Sequence, residues 1–392
     1  MNLLIFSQHF WPETFRINEV AKELSKKNNV YVVSSWPNYN IIKKKNKNFY
    51  GFEKYKNVKI IRVPTFNRNN NRSYNIILNY LSFIIGGLFI KKKQFNNMNF
   101  DAIISYATSP IYQAIPAIIY AKRYDIPSFL WVQDLWPDVL KDLNIIKNKF
   151  ILKILNQSTE YLYSQCNYLL AQSPNIKKIL SKKFKNTLLV YNPSNINKFQ
   201  SARVRKNKIR KIVFAGNIGK AQALEKLINF GKFIKKDKLP LVFEIIGKGS
   251  NKKNLQKIVM EANLEKVIIF KDFMKPKIIE KYLLSADGFL VSLGAGRALS
   301  STIPAKFQTY ISYGKPIFTF SENTVAEIVK RYNIGFVINN KNFKKKILKF
   351  LNMNFRTTEM IRNNSKNIFR NFFEIKKNTI ILEKIIETGL NK

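Results

Sequence analysis

Three glycine-bearing turns and a few cations stand where this sequence can meet an anionic ligand. The segment Lys211 to Leu227 reads KIVFAGNIGKAQALEKL. A buried strand runs into Gly216, Asn217, Ile218 and Gly219, and a helix with Leu224, Leu227 and Ile228 inward is expected to follow. Glycines at a strand-to-helix turn let backbone N–H groups approach a phosphate, and a helix N-terminus adds a favourable dipole. The pattern is neither G-x-G-x-x-G nor a P-loop, so a plain tight turn is the competing reading. Leu241 to Gly249 (LVFEIIGKG) repeats the logic. Its strand ends at Gly247, Lys248 and Gly249, and Lys248 can supply positive charge. In the third piece a strand at 288–292 leads through the loop Leu293-Gly294-Ala295-Gly296-Arg297 to Pro304-Ala305-Lys306. Pro304 fits the first turn of a helix running to Tyr313. Arg297 and Lys306 can pair with a diphosphate, the alternative being two surface cations. Lys315 reads as structural or solvated.

The first half carries hydroxyl chemistry instead. Gln8-His9-Phe10-Trp11-Pro12-Glu13 follows the first strand, where loops face ligand. Glu13 can accept a bond from a hydroxyl. His9 is the single histidine, which does not make it catalytic, and Phe10 or Trp11 can simply pack. Trp36-Pro37-Asn38-Tyr39 follows the second strand and Ser109-Pro110 the fourth. Asp134, in the run 131–138 that ends the fifth strand, can orient or deprotonate a hydroxyl. A helix cap or a loop hydrogen bond is its bland alternative.

The elements that must position these residues are short apolar runs alternating with helical patterns. The strands expected in the first half are 3–6, 30–33, 58–63, 102–104, 128–132, 168–171 and 188–190. The rhythm breaks at Asn192-Pro193-Ser194-Asn195. A polar, basic stretch at 196–210 reads as an interdomain linker. Strands are expected again at 211–215, 241–246, 267–270, 288–292, 316–319 and 335–338. This is the rhythm of parallel sheets with helices on both faces. It predicts an α/β chain of two Rossmann-like, doubly wound domains, 1–195 and 211–370, facing a central cleft, with a helix at 371–392 packing back on the first domain. Ligands of such sheets bind at the C-terminal strand edges.

Composition narrows the classes. The chain has 392 residues, 46% hydrophobic, enough for two or three cored domains. Its one cysteine, Cys166, allows no internal disulfide, and a Cys/His zinc site or an iron–sulfur site is excluded. A cytoplasmic, metal-free protein is expected. The net charge is +44, from 68 Lys+Arg against 24 Asp+Glu. Only 13 of the cations are Arg, and about 46 residues are Asn. That bias fits an A/T-rich genome for part of the excess. An anionic membrane or a nucleic acid is the functional reading. Met1 to Ser7 has no basic n-region, so no cleavable signal is expected there. Tyr74 to Ile90 is apolar, is followed by Lys91-Lys92-Lys93, and is short of a spanning helix. It reads as a buried or interfacial helix with a basic flank.

Taken together, HFWPE at 9–13, WPNYN at 36–40, VQDLWPD at 132–138, FAGNIGKAQALE at 214–225, GKG at 247–249 and IPAKFQTYISYGKPI at 303–317 resemble glycosyltransferase family 4, with its two-domain GT-B fold. The likeness runs over nearly the whole chain and is nearest to the branch that includes the L-fucosamine (N-acetyl-fucosamine) transferases of O-antigen and capsule assembly. It implies retaining, metal-independent transfer from a UDP-sugar co-substrate, with no separate cofactor. The acceptor would be a lipid-linked or oligosaccharide chain, handled by a cytoplasmic enzyme peripheral on the inner face of the cell membrane. Carried over by position, it gives Gly216, Asn217, Ile218, Gly219, Gln222, Gly247, Lys248, Gly249, Phe273, Arg297, Lys306, Thr309 and Glu327 to the donor. Asp272 and Met274 would border the same pocket. Gln8, His9, Phe10, Pro12, Trp36 and Asn38 go to the acceptor, and Asp134 and Glu13 to catalysis.

There are departures from the family pattern. Ser301 and Thr309 stand where many members carry a Glu-x7-Glu pair. Asn217 and Gln222 replace a basic pair, and Gln133 replaces a His. The fucosamine-type branch shares these changes, so they read as marks of subtype. Two other classes compete with this reading. A UDP-sugar epimerase of the same fold needs more acid/base side chains than this sequence offers. A nucleic-acid binder is motivated by the charge alone, but the cations are spread along the chain and form no reader motif; no specific nucleic-acid partner is expected.

Overall fold

The computed structural model describes residues 1–37, 49–68, 73–195, 198–199, 209–320 and 323–390. The chain divides into two compact units, residues 1–195 with 373–392, and residues 196–372. Most of the stretch 196–210 falls outside the described residues, as does Asn38.

The first unit is built on one sheet. Its strands are β1 (Asn2–Phe6), β2 (Asn29–Ser35), β3 (Gly51–Tyr55), β4 (Val58–Val63), β5 (Ala102–Ala107), β6 (Ser128–Val132), β7 (Tyr168–Ala171) and β8 (Thr187–Leu189). They lie in the order β3-β4-β2-β1-β5-β6-β7-β8. All neighbours pair in parallel except β3, which runs antiparallel to β4. Both faces are covered, so the inner strands bury nearly every side chain, as parallel sheets require. The helix Arg16–Leu24 supplies Ile17, Val20, Ala21 and Leu24 to one face. Beside them the helix Ile375–Leu390 adds Ile375, Leu382 and Ile386 to the same core. The other face packs Phe83, Phe95, Phe100 and Tyr120 onto Leu4, Phe6, Tyr31 and Ile61. Among the described residues this sheet has one strand more than the apolar runs indicate. The addition is β3, whose GFEKY holds two charges and whose alternate residues are exposed. It is an edge hairpin arm, turned at Lys56 with φ +56°, so it needs no apolar run.

The second unit carries β9 (Arg210–Ala215), β10 (Leu241–Ile246), β11 (Ile268–Lys271), β12 (Gly288–Val291), β13 (Ile317–Phe320) and β14 (Gly335–Ile338). Their order is β11-β10-β9-β12-β13-β14, all parallel. The order reverses direction beside β9, so the turn after β9 sits at the switch point where such sheets bind ligands. Its core joins Phe214, Leu227, Phe243, Phe318 and Phe336 with Phe343 and Phe350 of the helix Phe343–Leu351.

One buried cation ties the edge of the first sheet to its ligand-side loops. Arg62 on β4 has no exposed surface. Its guanidinium bonds Glu53 of β3 at 2.9 Å, the Ser35 carbonyl at 2.9 Å and the Trp11 carbonyl. Replacing it strands Glu53 and two carbonyls. The expected outcome for Arg62→Ala is a loss of about 3 kcal/mol, read as a lowered urea midpoint of the first unit.

Candidate functional site

The glycine turn after β9 is assembled by backbone-to-backbone approach. Gly216 has φ +148° and Gly247 φ +145°, where side chains are strained. A Cβ on Gly247 would lie 2.0 Å from the Gly216 carbonyl oxygen, and one on Gly249 2.1 Å from that of Ile218. The two turns therefore interlock, and the ladder continues past the strands. Gly216 N–H donates to Ile246 O at 3.0 Å, and Ile218 N–H to Lys248 O at 2.8 Å. Gly219 N–H donates to Gln222 Oε1 at 3.0 Å. Three of the four N–H groups expected to face a phosphate are thus committed within the protein. Among the described residues only that of Asn217, whose residue is exposed, lacks a partner.

The helix expected directly after this turn starts later. Two 3-10 turns, Lys220–Gln222 and Leu224–Lys226, come first, and the α-helix is Leu227–Lys236. Between them Ala223 takes a left-handed conformation, φ +44° and ψ +46°, which breaks the helix and stores strain. The helix dipole is correspondingly displaced from Gly219. The turn is also bolted to the loop after β12. Ser292 Oγ donates to Gln222 O, and Gly294 N–H to Ala221 O at 2.7 Å.

Positive charge comes from Lys306, on the helix Ala305–Ile311. Its Nζ is buried, has no hydrogen-bond or ion-pair partner among the described residues, and lies 3.6 Å from the centroid of the Phe214 ring. A Cβ on Gly216 would be 3.4 Å from it, so the ammonium borders the exposed glycine. Burial pulls its pKa down from the ordinary lysine value to about 7. Tyr310, one turn later, fixes this helix. Its hydroxyl accepts from Ala215 N–H at 2.7 Å and donates to Ala215 O at 3.0 Å, and its ring stacks on Phe289 at 4.5 Å.

The other donor candidates are spread around this centre. Lys248 is exposed and sits 5.2 Å over the ring of Phe273, itself 59% exposed. Arg297 is exposed at the start of the helix Arg297–Ser301, where the sequence suggests only a loop. Glu327 is exposed in the first turn of the helix Thr324–Arg331. These two helices meet through Thr324 Oγ1, which donates to Ser300 O and Ser301 O at 3.1 Å. Thr309 Oγ1 donates to Ala305 O at 3.3 Å, within its own helix. Lys315 caps carbonyls of Leu283, Leu284 and Ala286 and is structural.

In the first unit Gln8 is fully buried. Its N–H donates to Gln113 Oε1 at 3.2 Å and its Nε2 to Asn79 Oδ1 at 3.0 Å. Asn79 also accepts from Arg68 Nε at 2.9 Å. Neither Asn79 nor Arg68 carries a sequence signal beyond lying in or beside the apolar run at 74–90. His9 Nδ1 lies 3.2 Å from Glu13 Oε2, with both residues buried and the imidazole stacked on Phe15 at 5.0 Å. Phe10 is buried, Pro12 half-buried, and Trp36 is buried with its Nε1 donating to Phe49 O at 3.1 Å. Asp134 stands apart from this pair. Its Oδ2 accepts from Ser109 Oγ at 2.9 Å, and Ser109 Oγ accepts from Trp136 Nε1 at 3.0 Å. Burial raises the Asp134 pKa, with the Ser109 bond opposing. Among the described residues no three His, Cys, Asp or Glu side chains gather in a set that holds a metal ion.

These two parallel-sheet units have the GT-B fold. The chain is similar to sucrose-phosphate synthase from Thermosynechococcus elongatus, with TM-score 0.75 at 10% identity over 99% of this chain and 98% of that one. It is similar to HepE of Anabaena, solved with UDP and glucose, with TM-score 0.64 at 13% identity over 99% and 100%. An E. coli structure described as trehalose-6-phosphate bound with UDP-2-fluoro glucose has TM-score 0.68 at 9% identity over 98% and 99%. In sequence, residues 195–368 match the family model for Glycosyl transferases group 1. No curated protein matches the chain.

Lys306 gives the unliganded protein a distinct pH dependence. Its folded pKa lies below its unfolded one, so above about pH 7 the unfolded chain holds the extra proton. Stability must then rise with pH from there towards the ordinary lysine value. Between pH 7 and 9 wild type should gain about 2 kcal/mol from this group. Lys306→Met should be more stable than wild type at pH 6.5 and lack that gain in urea titrations. Ala223→Gly should raise stability by about 1 kcal/mol by removing the left-handed strain.

Proposed function

We propose that the chain transfers a glycosyl group from a UDP-sugar to a lipid-linked glycan acceptor in surface polysaccharide assembly. The observation that carries this reading is the buried ammonium of Lys306, which has no counter-charge among the described residues and borders the exposed Gly216. An isolated buried charge is costly and is commonly held for an anionic ligand. Its place within a segment that matches Glycosyl transferases group 1 supports a nucleoside diphosphate as that ligand. N-acetyl-L-fucosamine is the proposed sugar, from the subtype marks at Ser301, Thr309, Asn217, Gln222 and Gln133.

In the proposed reaction the bond from the anomeric carbon to the diphosphate oxygen breaks, and its electron pair stays on the diphosphate. The acceptor oxygen bonds the anomeric carbon from the same face, and its proton passes to the leaving phosphate oxygen. Lys306 stabilises the charge that develops there, assisted by the exposed N–H of Asn217 and by Arg297. No protein nucleophile or metal ion is required. Asp134, steadied by Ser109, orients the acceptor hydroxyl. The His9–Glu13 pair shapes the loop that receives the acceptor rather than performing chemistry. The enzyme works at the inner membrane face, where such an acceptor is presented.

Calorimetric titration with UDP, GDP and ADP tests the donor half. UDP should bind selectively, and Lys306→Ala should weaken it at least tenfold. At pH 8 free Lys306 is mostly neutral. A diphosphate beside it restores the charge, so wild type should take up close to one proton, about 0.9, per UDP bound. Buffers of different ionisation enthalpy read that number. Failure of a folded wild type to bind any nucleotide would contradict the reading.

A further inference from the structure

The helix Ser73–Leu88 turns an apolar stripe to solvent. Ile77, Leu81 and Ile85 recur every four residues and are 57%, 48% and 55% exposed, with Phe89 just beyond at 63%. A second stripe lies on the helix Lys149–Ser164, where Phe150, Ile154 and Tyr161 are 70%, 48% and 68% exposed. Both helices pack on the same short turn, Ile111–Ala114, and Tyr112 of that turn meets Ser158 at 2.6 Å. The two helices are therefore neighbours in the first unit. Exposed apolar side chains grouped on neighbouring helices are a mark of interaction sites.

The charge around the face selects its occupant. No Asp or Glu occurs from Lys54 to Phe100, nor from Leu143 to Thr159. Exposed Lys91 and Lys93 flank the first stripe, and Lys147, Lys149 and Lys153 fringe the second. Protein–protein interfaces are depleted in lysine. Lysines fringing apolar stripes, with Glu160 the one acid on either helix, match interfacial helices on an anionic bilayer. Among the described residues no helix is long and apolar enough to cross a membrane; exposed apolar stripes of this kind suit the plane of the interface.

The same helix reaches inward. Its Phe83 is buried in the sheet core, and its Asn79 accepts from Gln8 Nε2 at 3.0 Å, in the loop after β1. We infer that the helices Ser73–Leu88 and Lys149–Ser164 form one composite docking face for an anionic lipid bilayer, and that the first sets the loop at 8–13 beside the headgroups where a lipid-linked acceptor emerges. This rests on the proposed lipid-linked acceptor. It adds the second helix, which the run at 74–93 alone does not reveal, and the link from docking to the acceptor loop.

Co-sedimentation of the full chain with vesicles tests it, using phosphatidylcholine alone and phosphatidylcholine with phosphatidylglycerol. Wild type should partition onto the mixed vesicles and not onto phosphatidylcholine. Ile77→Ser/Leu81→Ser/Ile85→Ser should lower that partition at least tenfold, and Phe150→Ser/Ile154→Ser several-fold, with UDP affinity unchanged in both. Leu81→Trp should shift its emission to the blue on the mixed vesicles. Wild-type partition by the serine variants, or no emission shift, would show that bulk charge alone binds and would overturn the proposal. So would a wild-type dimer in solution that the serine variants convert to monomer, since a second copy would then be the occupant. UDP affinity reports on the second unit only, so loss of nucleotide binding with intact partition would sink the transferase reading and leave the docking face standing.

Discussion

An ammonium held out of water without a counter-charge is the constraint around which the second unit is arranged. Lys306 Nζ rests on the face of Phe214 and borders Gly216. The ring offers some electrostatic compensation, but far less than a carboxylate would. The helix that carries it cannot drift away from this position. Tyr310 both donates to and accepts from the backbone of Ala215, the last residue of β9, and stacks on Phe289 of β12. Folding thus places at the switch point of the sheet a lysine whose charged form is destabilised by burial, so that it sheds its proton near pH 7 unless an anion arrives beside it.

Close backbone contact also limits what the glycine turns can offer an anion. Because Gly247 and Gly249 lie against Gly216 and Ile218, the two turns hydrogen-bond each other and spend most of their N–H groups doing so. The α-helix that would lend its dipole begins only at Leu227, past the strained Ala223. In the proposed reaction, recognition therefore rests on a side-chain charge rather than a backbone nest. The first unit solves a different problem. Its ligand-side loops are wired from beneath by Arg62, by the His9–Glu13 pair and by Gln8 with Gln113 and Asn79. Asp134 lies outside that wiring, held by Ser109 on a separate loop.

Much of this was legible in the residues. Parallel strands covered on both faces are apolar runs, so β1, β2, β4 to β8 and all six strands of the second unit stand out. β3 is charged, lies at an edge and is half exposed, and leaves no such trace. Lys306 is visible as a cation after Pro304. Its burial is not, because burial depends on Phe214, some ninety residues earlier in the chain. The roles of Tyr310 and Asn79 are not legible either, because each acts through hydrogen bonds to residues distant in the chain, Ala215 for the first and Gln8 for the second. The late start of the helix after Gly219 hides in Ala223, a good helix former that tertiary contacts at Ala221 and Gln222 hold in a left-handed conformation. The exposed stripe of Lys149–Ser164 escapes notice because its three apolar residues look like an ordinary amphipathic face until the structure turns them outward.

The ionisation of Lys306 itself tests the account most directly. With isotopically labelled lysine, the Nζ signal lost in Lys306→Arg can be followed by NMR through a pH titration, with and without UDP. The account predicts a pKa of about 7 in the free protein and a return towards the ordinary value of about 10.4 when the diphosphate is bound. An ordinary lysine pKa in the free protein, or one near 7 that UDP leaves unchanged, would contradict it.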